Sequence, residues 1–196
     1  EVYINVMESG KVVDSDTKSI GLRTMRLVRE NDKYGQSFCH EINGVKFFAM
    51  GADYIPEDNI LSRITPKRTD KLISQCKSCN FNAIRVWGGG YYPDDFFYNS
   101  CDRAGLVVFQ DMMFACCAMP SDEDMHEEIR FECIDALKRI RHHACIAVIS
   151  GNNEVEELLD EARIAERKTY LKIFEDMIPA LVKELCPDIP YVPSSP

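Results

Sequence analysis

Apolar runs recur along this chain at Phe47–Met50, Ala83–Trp87, Leu106–Gln110 and Ile146–Ser150, the last rich in β-branched residues, with helical patterns between most of them. Such runs read as strands buried on both faces. Thr65-Pro66 offers an N-cap and a first-turn proline for a helix through Cys79. Pro93 opens a second helix, which Gly105 stops. Ser121 opens a third, with Met125, Ile129, Cys133, Ala136, Leu137 and Ile140 along one face. A fourth runs from about Val155 towards Leu185, in one or two pieces, and a weak fifth strand follows at Tyr191-Val192. Strands alternating with helices imply βαβ units and a parallel sheet, either open and doubly wound or part of a (β/α)8 barrel. A whole barrel takes about 250 residues. The part of the 196-residue chain that follows the Asn43-Gly44 hairpin allows four βα units and the start of a fifth.

The first part of the chain follows another rule. Residues 1–34 alternate apolar and polar, with turns at Ser9-Gly10 and Asn31-Asp32, which is antiparallel β material too short to form a sandwich alone. Asn43-Gly44 is a two-residue hairpin signal between Ser37–Ile42 and Val45–Ala49. The expected division is therefore 1–34, strands of a β-sandwich, and 35–196, the α/β part. The chain opens on Glu1 within a strand-like segment, so it reads as starting inside a larger protein.

The net charge of −9 argues against a nucleic-acid or anionic-membrane partner. No apolar run approaches the roughly 20 residues of a membrane span. Nine cysteines, mostly within apolar or helical patterns, favour a reducing, cytoplasmic setting over a disulfide framework. Cys76 and Cys79 have C-x-x-C spacing but lie late in a helix, with no second pair and no histidine at ligand spacing. Helix packing explains them, and neither a metal nor a cofactor is expected.

Each strand end carries polar chemistry. The first delivers Asp53 and Tyr54, the second Arg85, Trp87 and three glycines, the third Gln110 and Asp111, the fourth Asn152, Asn153 and Glu154. One polar strand end would be turn chemistry, but four at the same end of a parallel sheet form the layout of a barrel active site. Glu154 suits a general acid/base, with Asn153 beside it; the competing reading has Asn152–Glu154 turning the chain and capping a helix. Trp87, the single tryptophan, offers a flat face to a sugar ring or else caps the core. Its glycines fit neither G-x-G-x-x-G nor a phosphate loop. Arg85 lies in a buried strand and needs a carboxylate, for which Glu154, Asp111 and Asp53 are candidates. Asp111 suits a supporting role. His142 and His143 precede the fourth strand, at the opposite end of the sheet, where a helix C-terminus favours cations.

The motifs RVWGGGYY, QDMMFAC, RHHACI and SGNNEVEE, in this order and spacing, resemble the β-mannosidase branch of glycoside hydrolase family 2. IGLRTMRLV resembles the closing strands of that family's immunoglobulin-like domain, INGVKFFAMGADYIPED its first barrel strand, and PYVPSSP its fifth. The resemblance implies a partial (β/α)8 barrel preceded by strands of an immunoglobulin-like sandwich, and a retaining glycosidase acting on terminal β-mannosides. It implies that Glu154 is the general acid/base and that Asn153 binds the sugar's 2-hydroxyl. Trp87, Asp111 and Asp53 would line the glycone pocket, supported by Arg85 and Asn152. Asp53 stands where the family often has Asn, and Ala144 where it often has Pro. A retaining enzyme needs a second carboxylate roughly 5–5.5 Å from the first; in the family it comes from the seventh strand, beyond this chain. The expected consequences are an inactive segment and self-association through an open barrel edge after the fifth strand. Related enzymes acting on galactosides or glucuronides, a non-catalytic carbohydrate-binding half-barrel, and an unrelated doubly wound nucleotide or metal domain are the alternatives.

Overall fold

A computed structural model describes residues 1–159 and 164–195. β1 (Val2–Glu8) and β2 (Lys11–Lys18) form an antiparallel hairpin, exposed along its whole length. Next, β3 (Met25–Val28), β4 (Cys39–Ile42) and β5 (Val45–Phe47) make a three-stranded antiparallel sheet. The β4–β5 turn puts Asn43 at φ 50° and Gly44 at φ 80°. A turn with both central residues left-handed matches the twist of the strands, and this sequence supplies a pair that tolerates it. This sheet spans residue 34, since β3 precedes it while β4 and β5 follow.

The second half is a partial α/β barrel. β6 (Gly51–Tyr54), α1 (Pro66–Ser78), β7 (Ala83–Val86), α2 (Asp95–Ala104), β8 (Val107–Asp111), α3 (Glu123–Ile140) and β9 (Ile146–Ser150) alternate along the chain. After the 3-10 turn Glu156–Leu158 come α4 (Ile164–Tyr170), a π-helical turn over Leu171–Met177, α5 (Ile178–Leu185) and β10 (Tyr191–Val192). The widened turn precedes Pro179, which has no N–H for the Glu175 carbonyl. The expected helix from Val155 thus begins as a 3-10 turn, and its stretch 160–163 lies outside the described residues. Among the described residues the parallel sheet has the order β10-β9-β8-β7-β6, consecutive neighbours throughout. None of the helices there is long and apolar enough to cross a membrane.

Two expected elements move. The first parallel strand is Gly51–Tyr54 rather than Phe47–Met50; Phe47 ends the hairpin strand β5 instead. Continuous apolarity across Phe47–Met50 hid the boundary between an antiparallel and a parallel strand. On α3 the buried face carries His126 and not Met125, which is 40% exposed.

Strand alternation divides the residues between two faces. Ile84 and Val86 of β7, with Val108 of β8, join Ile73, Phe97, Leu137 and Ile140 in the core under the helices. Ala83, Val107 and Ala147 point to the inner face, where Met25, Ile42 and Phe47 from the three-stranded sheet cover them. β3 therefore closes the N-terminal end of the barrel, and Arg23 fastens it by donating to the carbonyls of Ala144 (3.2 Å) and Ile146 (2.9 Å). β9 is buried at every residue, as its apolar run requires.

Asp102 ties α2 to the segment entering β9. It accepts from His143 Nδ1 at 2.7 Å and from the Cys145 N–H at 2.8 Å, while the His143 ring stacks on Tyr98 at 5.2 Å. Burial pushes the Asp102 carboxyl up, but the bonds from His143 and Cys145 outweigh it and hold the carboxyl below its ordinary value. A depressed carboxyl stabilises the fold above its unfolded-state pKa, and that contribution is lost as pH falls through the folded value. Asp102→Asn should cost about 1.5–3 kcal/mol at pH 7. In urea titrations the gap between the two proteins should close below about pH 4.

Candidate functional site

Asp53, Arg85, Asp111 and Asn153, one polar residue from each strand end, meet on the inner face, and Arg85 is their centre. Its side chain leaves β7 between the strands that carry Asp53 and Asp111. Nη2 donates to Asp111 Oδ2 at 2.7 Å, Nε reaches Oδ1 at 3.3 Å, and Nη1 lies 3.6 Å from Asp53 Oδ2. Nη2 also donates to Asn153 Oδ1 at 2.7 Å. The guanidinium sits 5.8 Å from the Phe109 ring, a further favourable contact for a cation. Asp111 and Asp53 are thus its carboxylate partners, and the Asp111 contact is a two-point fork that fixes the plane of the guanidinium.

Asp111 is 1% exposed, so its charge depends on these contacts. The Gly88 N–H supplies another at 3.0 Å. Burial pushes the carboxyl up, Arg85 and Gly88 pull it back, and the balance stays above the ordinary carboxylate value. Gln110, expected beside it, points to the opposite face of the sheet and accepts from Tyr98 Oη at 2.8 Å. Adjacent strand residues alternate sides, so only one of that pair can reach the inner face.

The glycines after Trp87 serve close packing. A Cβ on Gly88 would lie 2.6 Å from the Met112 carbonyl oxygen and 2.7 Å from that of Phe114. One on Gly89 would meet the Trp87 ring, which folds back over it and stays half-buried.

Beyond β9 the ladder continues one residue at a time. Asn153 bridges Ala115 on one side and Ser195 on the other. Its N–H donates to the Phe114 carbonyl at 2.9 Å, and the Cys116 N–H donates to its carbonyl at 2.9 Å. The Glu154 N–H donates to the Ser195 carbonyl at 3.1 Å. Asn152 turns away from this cluster; its amide donates to the Pro193 carbonyl and its Oδ1 accepts from the Val155 N–H. Asn152 thus turns the chain, as the turn reading of Asn152–Glu154 expects, while Asn153 joins Arg85. Glu154 adopts φ 58°, a left-handed backbone that non-glycine residues rarely take. Its carboxylate is partly exposed, with Oε2 3.3 Å from the Cys116 sulfur.

Asp53, Arg85, Asp111, Asn153 and Glu154 are therefore brought together, the last through Cys116. Trp87 neighbours them in sequence through Gly88. Below them the inner face forms a cleft of about 250 Å³ lined by residues including His40, Asp53, Arg85, Val107 and Phe109. It reaches Asp53 and Arg85, but Glu154 and Trp87 are not part of its lining. Sequence reasoning passed over Cys116 because a cysteine after an apolar run reads as a small packing residue. The Gly88 N–H carries no side-chain signal at all.

No family model matches the chain. Beta-mannosidase B of Aspergillus niger is 39% identical over 193 residues, which are 92% of this chain and 23% of that protein. The solved structure of a beta-D-mannosidase from Dictyoglomus thermophilum superposes with a TM-score of 0.91 at 35% identity, over 97% of this chain and 24% of the other. The chain is homologous to one quarter of a beta-mannosidase. A glycosyl hydrolase family 2 member from Bacteroides cellulosilyticus, 20% identical with a TM-score of 0.74 over 96% of this chain and 24% of its own, shares the fold. The chain thus spans about a quarter of the length of the beta-mannosidases it matches.

Truncating Asp111 to Ala would leave Arg85 on the inner face without its forked partner. A loss of about 3–5 kcal/mol is expected in urea unfolding. A loss under about 1 kcal/mol would mean that Asp53 and solvent suffice for the guanidinium.

Proposed function

We propose that this chain supplies the acid/base half of a retaining β-mannosidase of glycoside hydrolase family 2. The observation that carries the reading is Glu154, a partly exposed carboxylate held in a left-handed backbone at the C-terminal end of a parallel strand. Its neighbour Asn153 is fixed by Arg85 at 2.7 Å. In the complete enzyme, Glu154 protonates the leaving oxygen as a nucleophilic carboxylate attacks the anomeric carbon. It then takes a proton from the water that releases the sugar. Asn153, with its Oδ1 engaged by Arg85, stands ready to contact the 2-hydroxyl, and Trp87, Asp53 and Asp111 shape the sugar site around it. Asp111 acts there by holding Arg85 and the Gly88 loop. The choice of mannose over galactose or glucuronic acid rests on the relatives of 35–39% identity, which are named as beta-mannosidases.

Replacing Glu154 by Gln in the complete enzyme should lower turnover of alkyl mannosides and oligosaccharides by about 100-fold or more. The first step on aryl mannosides with good leaving groups should change far less, since these need no proton. Equal, undiminished turnover of both substrate classes would remove Glu154 from the acid/base role.

The 196-residue chain alone is proposed to lack turnover, the second carboxylate coming from another part of the enzyme. β6 lies at one edge of the parallel sheet, with Gly51, Ala52 and Asp53 exposed, and such an edge invites strand pairing. Sedimentation of the isolated chain should show self-association, and aryl-mannoside assays should read zero. A monodisperse, active monomer would contradict both. The thiols, all nine of them free, support a reducing, cytoplasmic compartment. The alternative of sugar binding without catalysis rests on the half-buried Trp87 ring and is read by indole fluorescence during mannose titration.

A further inference from the structure

Cys116 occupies an unusual place for a surface cysteine. Its backbone is pinned by the 2.9 Å bond from its N–H to the Asn153 carbonyl and adopts φ 54°. Glu154, across from it, adopts φ 58°. Two facing non-glycine residues both carry left-handed backbone, a form of strain that persists only where surrounding contacts impose it and that gathers at functional sites. The result is direct contact: the Cys116 thiol donates to Glu154 Oε2 at 3.3 Å. Asn153 Nδ2 in turn donates to the Cys116 sulfur at 3.5 Å.

These bonds join one directed chain. Asp111 anchors Arg85, Arg85 Nη2 donates to Asn153 Oδ1, Asn153 Nδ2 donates to sulfur, and sulfur donates to the Glu154 carboxylate. Every donor points the same way, so each bond polarises the next and the cation's influence reaches the carboxylate without touching it. A thiol can accept and donate at once, although weakly in both directions. The contact with Glu154 also pushes the Cys116 thiol above its ordinary value, which keeps the sulfur protonated and able to donate.

We infer that Cys116 is a positioning residue for Glu154, fixing its carboxylate and linking it through Asn153 to the charge of Arg85. This rests on the acid/base reading of Glu154 above and adds a residue to it. Removing the donor leaves the carboxylate free to swing away from the leaving oxygen.

The test uses the complete enzyme and three variants, C116A, C116S and E154Q. C116A should lose roughly tenfold in kcat/KM on alkyl mannosides and little on aryl mannosides with good leaving groups. C116S, which keeps a donor, should recover most of that loss. C116A with the wild-type kcat/KM on alkyl mannosides and the wild-type leaving-group dependence overturns the inference. So do C116A and C116S that are equally impaired on all substrates, because that marks packing alone. If E154Q is impaired while C116A matches the wild type, only the role of Cys116 falls. If E154Q itself keeps wild-type rates on alkyl mannosides, the acid/base reading falls and takes this inference with it.

Discussion

A guanidinium on the inner face of a parallel sheet is the constraint around which this structure is arranged. Arg85 projects from the middle of β7 with only 20% of its side chain exposed, where an unpaired charge would carry a large desolvation penalty. Its partners must come from neighbouring strands, so Asp111 on β8 and Asp53 on β6 face it across the ladder. Asp111, itself buried, then needs the Gly88 N–H, which forces the loop after β7 close against the loop after β8. Only a glycine fits that approach. One buried charge thereby sets the identity of residues on three strands and the path of a loop.

The same guanidinium reaches the site. By holding Asn153 it fixes the residue from which Glu154 departs, and it orders the amide that contacts Cys116. Strand pairing that continues past β9 on both sides, to Ala115 and to Ser195, leaves Glu154 little freedom in backbone direction. The ladder up to Ser150 and the single-residue bridges beyond it hold the Glu154 backbone in place, since a group on a fixed strand end holds its position better than one on a free loop. At the opposite end, Arg23, Met25 and the Asp102–His143 pair close the barrel floor and play a structural part.

Much of this was legible from local chemistry. β9 and β10 stand where their apolar runs place them, α1 begins at the Thr65 cap, and α2 ends at Gly105 in the left-handed conformation. Those signals depend on a few adjacent residues, so the sequence carries them directly. The start of β6 was not legible, because an unbroken apolar stretch cannot say where a hairpin strand ends and a barrel strand begins. Nor was the separation of Gln110 from Asp111, which depends on which face of β8 the helices cover.

The sequence by itself determined the alternation of strand and helix, the hairpin at Asn43-Gly44, and the gathering of polar residues at strand ends. Each is a matter of periodicity or backbone preference within a short window. The tertiary structure alone decided which carboxylates pair with Arg85, that Asn152 turns away from Arg85 while Asn153 turns to it, and that Cys116 meets Glu154. These are contacts between residues 26 to 68 positions apart. Their geometry follows from strand register and loop approach, which arise when the sheet assembles and leave no trace in any local stretch of residues.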